Sequence, residues 1–118
     1  MSEFSVELDV ARNLAAEAAA EALRRAKQVK PKEKSNLSFV TDLDLDLEKL
    51  IRARLRERFP GDVLTGEECA SEGEGPRRWS IDPIDGTGNL VHGLPLWAIS
   101  IGLIVSGEPV VGVIAIPP

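Results

Sequence analysis

Residues 79–95 have the sequence WSIDPIDGTGNLVHGLP. Trp79 to Asp82 are predicted to form a short strand that Pro83 ends, and the proline also biases Asp82 toward extended geometry. Asp85 follows shortly after Asp82 and is itself followed by a glycine. Two carboxylates and exposed backbone carbonyls therefore meet at one point, and hard cations prefer such oxygen ligands. The spacing alone leaves a second interpretation open, in which both aspartates cap a turn and the start of a helix.

A second acidic pair, Glu67 and Glu68, follows a predicted short strand at Val63 to Thr65. The neighbouring Gly66 lets another group approach the backbone closely. Four carboxylates at the ends of two apolar strands repel one another unless cations neutralise them or the chain keeps them apart. The two acidic pairs together therefore favour a cation site over simple turn capping.

Two helices are predicted before these strands. Alanine and leucine recur at helical spacing from Ser5 to Gln28, and a second apolar stripe runs from Asp42 to Arg58. Within the second helix, Glu48 and Arg52 stand one helical turn apart and form an oppositely charged pair. The first half of the chain is therefore predicted to be mainly helical.

The end of the chain predicts a β-hairpin. Residues 97–105 and 110–116 are rich in β-forming side chains, and residues 106–109 have the composition of a turn. Neither run alternates cleanly between polar and apolar residues. We therefore expect both faces of these strands to be covered.

Composition limits the chain to one globular domain at most. Its 118 residues are 43% hydrophobic and 28% charged, which excludes an intrinsically disordered chain. The net charge of -5 has the wrong sign for a protein that mainly binds nucleic-acid phosphates. No apolar run approaches the roughly 18 residues of a membrane span, and one cysteine, Cys69, gives no reason to expect secretion. We expect a cytoplasmic protein without nucleic-acid or membrane partners.

The uneven distribution of charge predicts an incomplete domain. After Arg78 the only charged side chains are Asp82, Asp85 and Glu108. Such a segment is expected to be buried, yet two helices and their loops offer few layers to cover it. The sequence stops at Pro118 directly after an apolar run, so we expect further sequence to complete the domain.

Four familiar site types are excluded by single residues. A phosphate-binding P-loop fails because Glu67 stands where the lysine is required. A calcium loop beginning at Asp42 fails because Leu47 replaces the turn glycine. A zinc site or a Ser/His/Asp triad has no spare partner, because His92 is the single histidine.

These motifs together resemble the inositol monophosphatase family of Mg2+-dependent, lithium-sensitive phosphatases. GEE at residues 66–68 is similar to the family's acidic motif, and DPIDGT at residues 82–87 is similar to its signature. The segment from Lys34 to Asp44 resembles a KxxxxFVTxxD-like region upstream. The three motifs occur in the family's order and extend over essentially the whole chain.

The resemblance implies an α/β fold, an α+β layered sandwich in which two N-terminal helices pack on a mainly antiparallel sheet. Family members are more than twice as long as this chain. Residues 1–118 would therefore be the N-terminal part of a single domain whose C-terminal half is absent. That half supplies another metal-binding aspartate near a Trp-Asp motif and most contacts to the organic part of the substrate.

The resemblance also implies a set of metal ligands. Glu67, Asp82 and the backbone carbonyl of Ile84 would bind the first Mg2+. Asp82 would bridge to a second Mg2+ that Asp85 also holds, and Asp85 would contact the substrate as well. Two or three Mg2+ ions are implied in all, and such ions neutralise phosphate and lower the pKa of bound water.

Catalytic and phosphate-binding roles are implied for the residues around the signature. Thr87, paired with Asp44, would orient and deprotonate the attacking water, while the amides of Gly86 and Thr87 would receive the phosphate. Lys34 and Glu68 are further candidates. For these two, a solvated loop lysine and a surface or supporting carboxylate are interpretations of equal standing.

The implied function is a Mg2+-dependent phosphomonoesterase that hydrolyses a small phosphorylated metabolite with a metal-activated water. Inositol monophosphate is the first candidate substrate. Trp97 after Gly93, Leu94 and Pro95 is a pattern also seen in relatives that hydrolyse histidinol phosphate, so that substrate and other sugar or nucleotide phosphates stay open. An inactive, truncated, metal-binding chain is the rival from another class. The resemblance further implies a homodimer when the protein is full length.

Overall fold

The computed structural model describes residues 3–28, 37–67, 69–86, 89–90, 92–94 and 96–116. Within these ranges, two helices lie against a four-stranded sheet with the strand order β1-β2-β3-β4. The elements are α1 (Ser5–Lys27), α2 (Leu37–Arg58), β1 (Val63–Gly66), β2 (Arg77–Asp85), β3 (Ala98–Val105) and β4 (Glu108–Ala115). Strand β1 is parallel to β2, and the other two pairings are antiparallel. The predicted fold class is confirmed.

The two helices pack on one another and on the sheet through narrow apolar faces. Helix α1 ends within one residue of its prediction, and its small side chains allow close approach to the neighbouring elements. Helix α2 begins at Leu37, earlier than the predicted Asp42, because residues 37–41 contain no glycine or proline that would stop it. The buried helical side chains include Ala11, Ala15, Ala18, Ala22, Leu43, Leu47, Ile51 and Leu55.

The helices cover one face of the sheet. Trp79 and Leu103 occupy paired positions on this face and are fully buried. The Trp79 ring stacks on Phe59 with 5.5 Å between ring centroids, and its Nε1 donates a hydrogen bond of 2.9 Å to Asp62 Oδ2. The core therefore sits between α1, α2 and the alternate residues of the strands.

The opposite face of the sheet is not covered by the described residues. Burial alternates along β3, and on β4 the side chain of Ile114 is 68% exposed. Helix α1 contacts β3 and β4 and helix α2 contacts β1 and β2, while the buried positions of β2 and β3 largely alternate with half-buried or exposed ones. The expectation that both faces are covered is therefore wrong for the part of the chain that the structure describes.

Strand β2 continues past Pro83, which corrects the prediction that this proline ends the strand. β2 runs from Arg77 to Asp85, its pairing with β1 stops at Ile81, and its register with β3 shifts between Asp82 and Asp85. Pro83 lies inside this irregular stretch. A proline is tolerated there because the regular ladder does not need the N–H that it lacks.

The predicted hairpin is confirmed with a tighter turn. Only Ser106 and Gly107 separate β3 from β4, and their φ angles of 51° and 83° fit a two-residue turn. The predicted turn of residues 106–109 is shorter in the structure because Glu108 and Pro109 already pair with β3.

Neither helix that the structure describes combines the length and apolar character that a membrane-spanning segment needs.

Candidate active site at the ends of two strands

The parallel pairing of β1 and β2 brings two acidic positions to one edge of the sheet. Gly66, the last residue of β1, pairs with Ile81 of β2. The next residue along each strand is acidic, Glu67 on one and Asp82 on the other. Glu67 is exposed, whereas Asp82 is half-buried and its Oδ1 atom is shielded from solvent. Neighbouring parallel strands thus present their acidic residues side by side.

The end of β2 presents Ile84 and Asp85 in opposite environments. The side chain of Ile84 is 5% exposed and belongs to the core, whereas Asp85 is exposed. Asp85 pairs with Ala98 of β3 after the register shift. Burial of Ile84 anchors the backbone between the two aspartates, so that its position is fixed by packing.

The chain turns sharply at Gly86, directly after Asp85. Gly86 has a φ of +85°, and a Cβ atom there would lie 2.5 Å from the carbonyl oxygen of Leu96. Its own carbonyl accepts hydrogen bonds from the N–H groups of Asn89 and Leu90 at 3.0 and 3.2 Å. Asn89 Nδ2 donates a further bond of 2.7 Å to the Leu96 carbonyl. This turn is therefore fixed by close backbone packing that requires glycine.

A cavity of about 570 Å³ opens beside this turn. Asp85 stands at its polar side, and Leu96 and Trp97 contribute apolar wall. Its lining residues are Asp85, Gly86, Asn89, Leu96, Trp97, Ala98 and Ile116. A small polar ligand held near Asp85 would meet an apolar surface on its other side.

The end of β1 is supported by a buried ion pair, for which the sequence predicts only an oppositely charged pair one helical turn apart. Glu48 is fully buried and Arg52 is 3% exposed, and Arg52 Nε donates a hydrogen bond of 3.0 Å to Glu48 Oε2. The same Glu48 oxygen accepts the backbone N–H of Cys69 at 2.9 Å. A Cβ atom on Gly66 would lie 2.5 Å from the Glu48 carboxyl carbon. The carboxylate thus occupies space that only a glycine at this position leaves open.

Arg52 extends this contact to the loop that follows β1. Its Nη1 donates to the Ala70 carbonyl at 2.8 Å and to Glu72 Oε1 at 3.0 Å, and its Nη2 donates to the Cys69 carbonyl at 3.0 Å. Glu72 in turn exchanges two backbone hydrogen bonds with Leu64 of β1. The loop is therefore attached to α2 and also folded back on its own strand.

Two titratable groups in this loop are shifted by their surroundings. Burial raises the pKa of the Cys69 thiol, and its hydrogen bond to Glu48 raises that pKa further. The hydrogen bond from the Arg56 guanidinium lowers the pKa of the Glu72 carboxyl, with a smaller contribution from Arg52. Cys69 is therefore a neutral thiol at physiological pH, and Glu72 is a carboxylate.

Several predicted site residues cannot be compared with the structure. Lys34, Glu68 and Thr87 lie outside the described residues. Asp44 is half-buried on α2. Among the residues that the structure does describe, no group of three or more histidine, cysteine, aspartate or glutamate side chains is close enough to hold a metal ion.

The donor set is nevertheless chemically suited to Mg2+. Carboxylates from Glu67, Asp82 and Asp85 and the carbonyl of Ile84 are hard oxygen ligands. Mg2+ is commonly bound by one or two protein carboxylates while keeping waters and substrate oxygens in its remaining positions. The ligand assignments stay predictions, and the register of β1 against β2 is consistent with them.

Comparison with known proteins gives a match over nearly the whole chain. The family model described as the inositol monophosphatase family matches residues 3–118. A histidinol-phosphatase of Streptomyces coelicolor is 41% identical over 123 residues, which include 99% of this chain and 46% of that protein. An inositol-1-monophosphatase of Mycobacterium bovis is 40% identical over 128 residues, with 90% of this chain and 43% of that protein covered.

A solved structure agrees with these sequence matches. Mycobacterium tuberculosis SuhB superposes with a TM-score of 0.77 at 43% identity, over 98% of this chain and 42% of that one. The chain spans less than half the length of each of these relatives. The match extends over both helices, the sheet and both acidic strand ends. By sequence and by fold, the chain belongs to the inositol monophosphatase family.

Proposed function

We propose that residues 1–118 form the N-terminal part of a single Mg2+-dependent phosphomonoesterase domain that hydrolyses a small phosphorylated metabolite. One observation supports this above the others: the parallel register of Gly66 with Ile81, which brings Glu67, the residue after β1, beside Asp82 of β2. The remainder of the domain would come from sequence beyond Pro118, because the relatives are more than twice as long.

The acidic strand ends would bind two or three Mg2+ ions. Glu67, Asp82 and the carbonyl of Ile84 would hold the first ion, and Asp82 and Asp85 would hold the second. Bound Mg2+ would neutralise the phosphate and lower the pKa of a coordinated water. Asp82 would be the residue shared by both ions, and it is half-buried, whereas Glu67 and Asp85 are exposed.

The turn after β2 would bind the phosphate and activate the water. The amides of Gly86 and Thr87 would receive the phosphate, and the Thr87 hydroxyl would pass the proton of the attacking water toward Asp44. The sharp turn at Gly86 supports this assignment, because its carbonyl accepts the N–H groups of Asn89 and Leu90 in the pattern of the first turn of a helix.

The cavity beside Asp85 would receive the organic part of the substrate. We place inositol monophosphate first, and histidinol phosphate second because of Trp97, which is 5% exposed and lines this cavity. Both substrates fit the names of relatives at about 40% identity. Other sugar or nucleotide phosphates come after these two.

The test is a metal-dependence assay on the complete protein that contains residues 1–118. Hydrolysis of inositol monophosphate, histidinol phosphate and a sugar phosphate is measured while Mg2+ is titrated. We expect turnover to require Mg2+ and to disappear in EDTA. Full turnover in excess EDTA would contradict the proposal.

A matched pair of substitutions distinguishes the loss of a proposed metal ligand from the loss of a negative charge elsewhere in the loop. Glu67→Gln removes a proposed ligand, whereas Glu74→Gln changes an exposed glutamate in the same loop. We expect that Glu67→Gln, and not Glu74→Gln, will need a higher Mg2+ concentration for half-maximal turnover. Equal effects of the two substitutions would remove Glu67 from the metal site.

The rival interpretation, a cation-binding chain without turnover, has a separate readout. We expect the reading frame to continue beyond Pro118 into a segment with a Trp-Asp motif. Mg2+ binding without hydrolysis of any tested phosphomonoester would favour the rival. The homodimer also stays a prediction, which analytical ultracentrifugation of the complete protein would test.

A further inference from the structure

We propose that the buried Glu48–Arg52 pair of α2 positions Glu67 for Mg2+ binding. The pair touches no proposed substrate or metal atom, so both residues are positioning residues that act through the backbone of residues 66–72. The inference rests on the proposed function, because it gives a purpose to the geometry of a proposed ligand. Its evidence lies in where the hydrogen bonds of the pair go.

The Glu48 carboxylate contacts the chain on both sides of Glu67. Before Glu67, it packs on Gly66 so closely that a Cβ atom would lie 2.5 Å from its carboxyl carbon. After Glu67, it accepts the N–H of Cys69 at 2.9 Å. The short segment between these two contacts contains the acidic residues of the motif.

Arg52 fixes the chain immediately after that segment. Two of its nitrogen atoms donate to the carbonyls of Cys69 and Ala70, at 3.0 and 2.8 Å. A guanidinium holds its N–H groups in a rigid plane, so that two carbonyls bound to it are fixed relative to one another. Together the pair makes three hydrogen bonds to backbone atoms of residues 69 and 70.

Stability alone is a poor reason for this arrangement. Burying two charges costs desolvation free energy, and apolar residues of similar volume often replace a buried pair without loss of stability. Glu67 is exposed, so its own side chain gains no position from packing. The backbone bonded to Glu48 and Arg52 therefore determines where the Glu67 carboxylate starts from when it binds a cation.

The test is the double substitution Glu48→Met/Arg52→Met in the complete protein, which replaces the pair by apolar side chains of similar length. Mg2+ binding is measured by calorimetry, and amide hydrogen exchange is followed over residues 67–72. We expect the Kd for Mg2+ to rise at least about tenfold, the scale for residues that orient a metal ligand. Exchange in the loop should accelerate, while kcat at saturating Mg2+ falls much less than the Mg2+ affinity.

The matched control is Arg56→Met, which removes the exposed partner of Glu72 and leaves the buried pair in place. It should leave the Kd for Mg2+ unchanged. If the double substitution prevents folding, Arg52→Lys keeps the buried charge but lacks the planar fork, and it should raise the Kd in the same direction. An unchanged Kd in a folded variant would overturn the inference while leaving the proposed function intact. Absence of Mg2+ binding by the unmodified protein would overturn both.

Discussion

The two acidic strand ends are stabilised by different kinds of interaction. At the end of β1, the support comes from charged side chains of a helix, because Glu48 and Arg52 bond to the backbone of the loop. At the end of β2, the support comes from the backbone itself. Gly86 packs on the carbonyl of Leu96, and the Asn89 side chain donates a hydrogen bond to the same Leu96 carbonyl. One end is fixed by electrostatics and hydrogen bonds, and the other by steric fit.

This difference determines which substitutions each end is sensitive to. The β2 end depends on Gly86, Asn89 and Leu96, which follow its ligands closely in the sequence, so local changes should disrupt it. The β1 end depends on Glu48 and Arg52, which lie one element earlier in the chain. Changes far from the acidic motif should therefore affect it, and changes in pH should affect it more than they affect the β2 end.

The largest expected effect is the loss of kcat when the proposed metal ligands of the two ends are replaced one at a time. Asp82→Asn should lower kcat by about 10³-fold, because a ligand shared by two ions supplies several kcal/mol of transition-state stabilisation. Glu67→Gln and Asp85→Asn each affect one ion and should lower kcat less. Steady-state kinetics of the three variants of the complete protein with Mg2+ titration give the comparison. A larger loss in Glu67→Gln or Asp85→Asn would show that Asp82 is not the bridging ligand.

The next effect tests the steric support of the β2 end. Gly86→Ala should lower the free energy of unfolding by about 3 kcal/mol, because the residue has a positive φ and its Cβ would strike the Leu96 carbonyl. Gly112→Ala on β4 is the control, since a Cβ atom there meets nothing within 4 Å. Urea denaturation of the complete protein with each substitution measures both. Similar losses in the two variants would mean that this turn is not held by close packing.

A slightly smaller effect separates catalysis from capping at the same turn. If Thr87 passes the proton of the water toward Asp44, Thr87→Ala should lower kcat by about 10²-fold, the scale of positioned proton transfer. Thr87→Ser keeps the hydroxyl and should retain much of the rate. The Mg2+ affinity should change little in both, because the hydroxyl is not a proposed ligand. A near-normal kcat in Thr87→Ala would support a capping role, worth about 1 kcal/mol of stability, and would exclude Asp44 from the mechanism.

Much of the fold could be predicted because its signals are local. Alanine periodicity gave α1, and the β-rich runs gave the hairpin. The continuation of β2 past Pro83 could not be predicted from the sequence, because it depends on where the pairing of β2 with β1 stops. The exposed outer face around Ile114 was missed for a similar reason, since periodicity does not reveal how many layers cover a sheet.

The contacts that support the two strand ends could be predicted to different extents. The motif at the β2 end contains its own glycine, so Gly86 could be assigned from its neighbours in sequence. The support of the β1 end could not, because a Glu–Arg pair one turn apart is usually solvated. One signal was present: Glu48 and Arg52 lie at the edge of the apolar stripe that contains Leu47 and Ile51. In the folded protein Glu48 packs on Gly66, and both members of the pair are buried.

The smallest expected effect concerns pH at the β1 end. The hydrogen bond from Arg56 holds the pKa of Glu72 below its usual range in the folded protein. A carboxyl whose pKa is lower in the folded state stabilises the protein above its unfolded pKa, and this stability is lost as the pH falls through the folded value. Arg56→Gln should therefore lower the urea midpoint slightly at pH 7, by far less than Gly86→Ala, because both partners are largely exposed.

At pH 3, below the usual pKa of a glutamate, the difference between the Arg56→Gln variant and the unmodified protein should shrink, because the unfolded chain then binds a proton at Glu72 and the lowered pKa of the folded state stabilises the protein less. The Gly86→Ala variant provides the contrast, since a steric clash does not titrate and its loss should be similar at both pH values. Urea denaturation at pH 7 and pH 3 measures all three proteins. If the Arg56→Gln difference were equally large at both pH values, charge at Glu72 would not contribute to the support of the β1 end, and the electrostatic character assigned to that end would rest on the buried pair alone.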